Sequence, residues 1–216
     1  PQPMASQLTI NIRNAIASLI GRKMARTRLR EEYKRAFLKI YPQIRYDERW
    51  REQNVPVKNN ESGFIIGSVV QALKTLPKPG RVLLAGENAE GKPVYAGIMG
   101  IAPAAITIAG LDKTSDVQWN FEQNPPPLEK FDVVVSHAII EHLIDPYKHV
   151  RDLLSLVREG GSAVIYTVMP NFQYHRHPVD CVRFFPDWFM EVAKRTGTRV
   201  ADMCISEDHI IVVFAK

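Results

Sequence analysis

Titratable side chains follow an apolar run in residues 131–150, FDVVVSHAIIEHLIDPYKHV. Ser136 and His137 come directly after the valines, and Glu141 and His142 come about one turn later. Imidazole and carboxylate groups can take up or hold a proton near neutral pH, which is the chemistry of a general base. If the valines form a strand of an open parallel sheet, these side chains emerge at its carboxyl end, where such sheets bind ligands. We expect His137 to contact a ligand there, and we expect His142 either to be catalytic or to form a structural hydrogen-bonded pair with Glu141.

A second cluster of titratable residues lies in residues 171–184, NFQYHRHPVDCVRF, after the apolar run SAVIYTV. We expect His175, His177 or Asp180 to act as a base toward a ligand above this end of the sheet. A His-x-His pair beside an acid could also bind a metal ion, but imidazole suits zinc or nickel better than magnesium. We favour a loop that hydrogen-bonds its ligand, and the sequence alone assigns no metal ligand.

Apolar runs separated by helix-like segments indicate the elements that would position these residues. Residues 62–76 predict a helix that Ser62 caps and that ends at PKPG. A helix opened by Asp145 and Pro146 is expected to carry His149 on its outer surface. Seven runs predict strands: RVLLAG, AAITIAGLD, DVQWN, FDVVVS, SAVIYTV, TRVADMCI and HIIVVFAK.

The strand pattern predicts the fold class. Strands that are apolar on both faces and separated by crossovers indicate a parallel sheet wrapped by helices. The last two runs are separated by only a few turn residues, so they should be antiparallel neighbours. We therefore predict an α/β fold with a doubly wound, mostly parallel seven-stranded sheet that ends in an antiparallel hairpin.

Charge is divided unevenly along the chain. Residues 1–60 hold 13 Lys and Arg against 5 Asp and Glu, whereas residues 61–216 hold 15 against 18. The spacing of Leu29, Tyr33 and Phe37 predicts amphipathic helices in the basic part. We expect a basic helical N-terminal extension over 1–60 and the main domain over 61–216. The basic helices either present a solvated face or bind an anionic partner such as nucleic acid or a membrane surface.

The composition also indicates in which cellular compartment the protein is expected. No uninterrupted apolar stretch approaches the roughly 20 residues that span a bilayer, and the N-terminus lacks an apolar signal core. Cys181 and Cys204 lie far apart in sequence without metal-site spacing, which favours reduced thiols. We expect a cytoplasmic protein without a membrane span. The opening PQPM is unlike a natural start, which suggests part of a longer multidomain polypeptide.

The order of elements resembles class I S-adenosylmethionine-dependent methyltransferases, which have a Rossmann-like fold, over roughly residues 62–216. The resemblance is most specific in residues 131–168, with a leading Phe-Asp, a Glu-His-Leu, an Asp-Pro that opens the next helix, and a Gly-Gly before the fifth strand. DVQWNFEQNPP and HPVDCVRFFPDWF resemble a subgroup that often accompanies glycan biosynthesis genes. The resemblance implies S-adenosylmethionine as cofactor and S-adenosylhomocysteine as product.

The resemblance also implies which residues bind the cofactor. The loop AGENAEGKP replaces the usual Gly-x-Gly, and Glu87 in it would receive the cofactor's ammonium group. Asp112 resembles the acid that binds the ribose hydroxyls, and Asn120 stands near the position of the adenine amine. Seven residues are assigned to the cofactor: Gly86, Glu87, Gly91, Asp112, Asn120, Ser136 and His137.

The implied activity is O-methylation of a sugar hydroxyl in a glycan or glycoconjugate. Methyl transfer is an in-line displacement, so the enzyme aligns the reactants and removes the hydroxyl proton. Aromatic residues of the second cluster could stack on the sugar or form the core of a lid: Phe172, Tyr174, Phe184 and Phe185. The candidates for the base are His137, His142, His175, His177 and Asp180.

Three alternatives remain open at this point. The basic N-terminal part suggests a methyltransferase that acts on RNA or another anionic acceptor, although nucleic acid is not the expected partner. The altered glycine loop suggests a non-catalytic binding or scaffold domain. A nicotinamide-dependent oxidoreductase is disfavoured by the missing GxGxxG and by the terminal hairpin.

Overall fold

The computed structural model describes residues 24, 28, 32, 57–59, 69, 72–170, 172–176, 178–205 and 209–216. The chain forms two compact units, Pro1–Ile44 and Arg45–Lys216. In the first unit the described residues Met24, Arg28 and Glu32 are helical and exposed, and Arg28 pairs with Glu32 at 2.8 Å. The apolar positions predicted for this segment and the Ser62 cap lie outside the described residues. The predicted boundary between residues 60 and 61 stays a prediction.

The described part of Arg45–Lys216 contains one mixed sheet of eight strands. In chain order they are β1 (Val57–Asn59), β2 (Val82–Ala85), β3 (Ile106–Gly110), β4 (Val117–Gln118), β5 (Phe131–His137), β6 (Val157–Val168), β7 (Arg199–Ile205) and β8 (His209–Ala215). Their order across the sheet is β1-β7-β8-β6-β5-β2-β3-β4. Strands β2 to β8 are the seven predicted from the sequence, and the three-residue β1 adds to the edge beside β7.

The pairing confirms the predicted fold class. Strands β6 and β7 both run antiparallel to β8, and every other neighbouring pair is parallel. The chain moves from β2 outward to β3 and β4, then returns to the other side of β2 as β5. Because β2 lies between β3 and β5, the crevice at this switch point opens beyond the carboxyl ends of β2 and β5.

Three helices with described ends accompany the sheet: α1 (Gly91–Met99), α2 (Pro146–Leu156) and α3 (Pro186–Thr196). The Asp145 side chain accepts from the Lys148 N–H at 2.9 Å, and Pro146 follows at the first helical position, so α2 begins where the sequence predicts. Gly100 and Gly197 end α1 and α3 in the left-handed conformation. Residues 72–75 are helical, within the helix predicted over 62–76.

The central strands form the core. Every residue of β2 is fully buried, and the valines of β5 are buried on both faces because helices cover the sheet. Val69, Ala72 and Leu73 of the preceding helical segment pack on the same core as Tyr95 of α1. Among the described residues no helix is both long and apolar enough to cross a bilayer.

Candidate active site

Glu87, Tyr95 and His137 form a hydrogen-bonded group at the carboxyl ends of β2 and β5. Ala85 pairs with Ser136 in the parallel ladder, which brings the residues after both strands to one edge. The Tyr95 hydroxyl donates to Oε1 of Glu87 at 3.0 Å and lies 2.9 Å from Nδ1 of His137. That Nδ1 is also 3.3 Å from Oε1 of Glu87. The structure therefore joins two predicted site residues through a tyrosine that sequence reasoning missed.

The hydrogen bonds of this group fix its protonation. The His137 hydrogen bond lowers the pKa of Glu87 despite burial, and burial, with Glu87 adding to it, raises the pKa of Tyr95. Glu87 is thus a carboxylate and Tyr95 a neutral donor at neutral pH. Because the tyrosine hydrogen goes to Glu87, Nδ1 of His137 carries the hydrogen that it shares with the tyrosine oxygen. Nε2 of His137 is then the basic nitrogen.

The turns around His137 are tightly packed and unusual in conformation. Ala138 follows His137 with a φ of 54°, a left-handed value that is uncommon outside glycine, and its N–H donates to the Tyr166 carbonyl at 3.0 Å. Gly86 has a φ of 85°, and a Cβ there would lie 2.2 Å from Cδ1 of Ile139. The glycine thus lets the loop after β5 pack on the loop after β2. Such strained backbone concentrates at functional sites.

Gly91 is the first residue of α1. A Cβ at Gly91 would be 3.1 Å from Oε2 of Glu87, so the glycine allows the Glu87 side chain to lie against the start of the helix. The role of Gly91 in cofactor binding stays a prediction.

Asp112 and Asn120 follow β3 and β4. Asp112 is exposed, and its Oδ1 accepts from the backbone N–H of Thr114 at 2.7 Å and from the Thr114 hydroxyl. The hydroxyl hydrogen bond, followed by the backbone one, lowers the pKa of Asp112. The Asn120 side chain accepts from the Glu122 N–H at 3.1 Å. An ionised, exposed Asp112 at this edge leaves Oδ2 for a ribose hydroxyl, which fits the predicted cofactor.

Ser136 and His149 meet on the opposite face of β5. Ser136 is fully buried, and its Oγ lies 3.2 Å from Nε2 of His149 on α2. The role of Ser136 in cofactor binding stays a prediction. The expectation that His149 is a surface residue is wrong, because its side chain is fully buried against the ring of Phe121 at 4.6 Å. Burial, reinforced by Lys148, lowers the pKa of His149 to about 3, so the imidazole is neutral.

The second predicted cluster is anchored through Asp180. The Asp180 carboxylate accepts from the His175 N–H at 2.6 Å and from the guanidinium of Arg183. Burial alone would raise the pKa of Asp180, but these hydrogen bonds hold it below its ordinary value. The geometry gives Asp180 an anchoring position in the loop, and its role as a base stays a prediction. His177 lies outside the described residues.

A row of aromatic rings connects the two clusters. The His137 ring contacts Tyr166 with centroids 4.6 Å apart, and the Tyr166 hydroxyl lies 2.7 Å from Nδ1 of His209. The ring of Phe172 contacts the rings of His209 and His175, with centroid distances of 4.9 and 5.0 Å respectively. The ring centroids of His175 and His142 are in turn 4.9 Å apart. His209 is the first residue of β8, and its pairing with Val168 is a tertiary contact that no local sequence signal indicates.

Comparisons with known proteins agree with this architecture. Residues 94–165 match the family model described as a methyltransferase domain, from α1 to β6. A search of the curated proteins finds no match.

Many solved structures are similar to this chain, among them the following three, all at low identity. An S-adenosylmethionine-dependent methyltransferase from Mesorhizobium loti has a TM-score of 0.56 at 13% identity, covering 71% of this chain and 99% of its own. The methyltransferase CcbJ from Streptomyces caelestis has a TM-score of 0.53 at 10% identity, and the match covers 68% of this chain and 92% of CcbJ. A putative S-adenosylmethionine-dependent methyltransferase from Listeria monocytogenes has a TM-score of 0.52 at 11% identity, and the match covers 70% of this chain and 99% of that protein.

These likenesses show the fold of the chain. The fold is the Rossmann-like fold of those methyltransferases. Together with the family match, it supports the class I S-adenosylmethionine-dependent methyltransferase superfamily. Two of these similar structures are described as S-adenosylmethionine-dependent, which agrees with the cofactor that the sequence resemblance implies.

Proposed function

We propose that this chain is an O-methyltransferase whose acceptor is a sugar hydroxyl of a glycan or glycoconjugate. The observation that carries the proposal is the hydrogen-bonded group of Glu87, Tyr95 and His137 beyond the carboxyl ends of β2 and β5. When bound, S-adenosylmethionine supplies an electrophilic methyl group. An acceptor hydroxyl needs a base beside it, and this group contains one.

His137 is the residue that we assign as the base. Its side chain is 25% exposed, so an acceptor can reach it. With Nδ1 hydrogen-bonded to Tyr95, Nε2 can accept the hydroxyl proton. The ionised Glu87, 3.3 Å from Nδ1, then stabilises the imidazolium that forms.

The loop after β6 supports a sugar as the acceptor. Tyr174 is 71% exposed, so its aromatic face is available to stack on the apolar face of a sugar ring. Phe185 in the same loop is 36% exposed. Phe184, which the sequence also suggested for stacking, is instead buried and packs on Trp188 and Phe189. The resemblance of HPVDCVRFFPDWF to methyltransferases encoded near glycan biosynthesis genes supports the same acceptor class.

The test is transfer of a labelled methyl group from S-adenosylmethionine to a panel of mono- and oligosaccharides. His137→Ala should lower kcat by about 10²–10⁴-fold, the usual contribution of a general base. Its affinity for S-adenosylhomocysteine should change far less, because the base acts on the acceptor. Lys194→Ala, an exposed position on α3, is the matched control and should keep full activity. An unchanged kcat in His137→Ala would remove His137 from the mechanism.

An anionic acceptor is the second candidate, because residues 1–60 carry a net charge of +8. Methylation of RNA but of no saccharide in the same assay would favour it. Failure to bind either form of the cofactor would favour a non-catalytic scaffold. Cytoplasmic placement belongs to this proposal as an expectation.

A further inference from the structure

The side-chain carboxyl group of Glu141 is buried, and one of its oxygens makes no hydrogen bond to the part of the chain that the structure describes. Its side chain has no exposed surface, and Oε2 accepts from the Thr167 hydroxyl at 2.8 Å. Oε1 is buried and has no hydrogen-bond partner among the residues that the structure describes, and it lies 3.8 Å from Nε2 of His142. A buried charge is retained when it is paired or coordinates a metal ion. The proposed acceptor chemistry does not use this oxygen.

Two imidazoles complete a compact cluster with this carboxylate. Glu141, His142 and His175 each offer a ligand atom within 4.8 Å of the others. The pairing of β5 with β6 brings the turn Ile140–His142 beside the loop that carries His175. The side chains of His142 and His175 are 11% and 24% exposed, so an ion can enter from solvent.

The surroundings of both imidazoles resemble the outer shell of a metal site. Nδ1 of His142 hydrogen-bonds the carbonyl of Val179, and Nδ1 of His175 lies 3.4 Å from Oδ2 of Asp180. Metal-binding histidines commonly direct their other ring nitrogen to a carbonyl or a carboxylate, which fixes the tautomer and the ring orientation. Each ring offers one nitrogen to the cluster with the Glu141 oxygen.

The backbone holds the two parts of the cluster in register. The N–H groups of Cys181 and Val182 both donate to the Glu141 carbonyl, at 2.8 and 3.1 Å. Asp180, one residue before, is held by Arg183. The loop that carries His175 is thus tied to the turn that carries Glu141 without any ion. A preformed set of ligands lowers the ordering cost of binding.

We propose that Glu141, His142 and His175 bind a divalent transition metal ion, with zinc as the expected ion. Two imidazoles and one carboxylate are a recurrent zinc ligand set that leaves a fourth tetrahedral position open to water or an acceptor oxygen. Magnesium is disfavoured because it prefers oxygen ligands in octahedral geometry. Metal binding at this cluster does not depend on the identity of the acceptor.

The test is titration of the full, untagged chain with Co²⁺, whose visible absorption reports tetrahedral coordination, followed by displacement with Zn²⁺. The wild type should show one equivalent of Co²⁺ absorption and a Tm that rises with Zn²⁺. His142→Ala, His175→Ala and Glu141→Gln should each weaken Zn²⁺ affinity by more than about tenfold. His137→Ala, which removes an imidazole from the neighbouring cluster, is the matched control and should bind as the wild type does.

Two results would overturn the proposal. The first is absence of the Co²⁺ absorption in the wild type. The second is equal Zn²⁺ affinity in the wild type and in His175→Ala, which would reveal only adventitious binding. His175 is partly exposed, so this variant should stay folded and keep the test decisive if Glu141→Gln does not fold.

Discussion

Gly86→Ala should destabilise the protein through two separable effects. The backbone at Gly86 has a φ of 85°, and the new Cβ would lie 2.2 Å from Cδ1 and 2.7 Å from Cγ1 of Ile139. A left-handed backbone costs a non-glycine residue about 1–2 kcal/mol. Overpacking adds about 1–3 kcal/mol, so the free energy of unfolding should fall by about 2–5 kcal/mol.

Urea denaturation of four variants separates the two effects. Ile139→Ala removes both clashing atoms, so the double variant should show a favourable coupling of about 1–3 kcal/mol with Gly86→Ala. Gly97→Ala in α1, where a Cβ would meet no described atom within 4 Å, is the matched control. It should stabilise the protein by about 0.5–1 kcal/mol, because alanine is the better helix former. A Gly86→Ala variant within about 0.5 kcal/mol of the wild type would refute the packing argument.

Three further predictions concern charge. His149 stays neutral in the folded protein, whereas in the unfolded chain it protonates below its ordinary pKa of 6.5. The free energy of unfolding of the wild type should therefore fall as the pH drops from 6.5 toward 3. Urea denaturation of His149→Phe should lack this pH-dependent loss of stability. The pKa of Glu87 is lower in the folded protein than its ordinary value of 4.5, so this carboxylate stabilises the fold above pH 4.5. That stabilisation is lost as the pH falls through the folded pKa. Glu87→Gln should remove this pH-dependent stabilisation and should slow methyl transfer at least about tenfold, since a charged hydrogen bond is lost. Glu90→Gln, at an exposed neighbouring position, is the control and should change neither the stability nor the rate. Raising salt from about 50 to 200 mM should change kcat/KM on a saccharide less than about tenfold, whereas a loss of about 10³-fold or more would favour a nucleic-acid acceptor.

The strands were predictable because each central strand is buried on both faces and therefore apolar throughout. Which side of a helix is buried was harder to predict, as His149 demonstrates. It lies four residues before Leu153 and seven before Leu156, which places it on the buried stripe of α2. Its polar type suggested the surface, and its helical spacing from Leu153 and Leu156 was not taken into account.

The site residues were predictable where they follow strands that end at one edge of the sheet. Ser136 and His137 are adjacent in β5, so their side chains point to opposite faces, and only His137 joins the group with Glu87. Tyr95 and His209 could not be found in this way, because their roles depend on contacts with residues 42 and 43 positions away. Such contacts are set by how the helices and the hairpin pack, which one sequence does not specify locally.

The most direct test of the central claim is calorimetric titration with S-adenosylmethionine and S-adenosylhomocysteine. The wild type should bind both with micromolar affinity and should not bind a reduced nicotinamide dinucleotide. Asp112→Ala should weaken binding about 10–100-fold, because a charged hydrogen bond to the ribose is lost, and Lys113→Ala beside it should have no effect. Absence of binding by the wild type would contradict the methyltransferase account, and equal affinity in Asp112→Ala would contradict the assigned cofactor site.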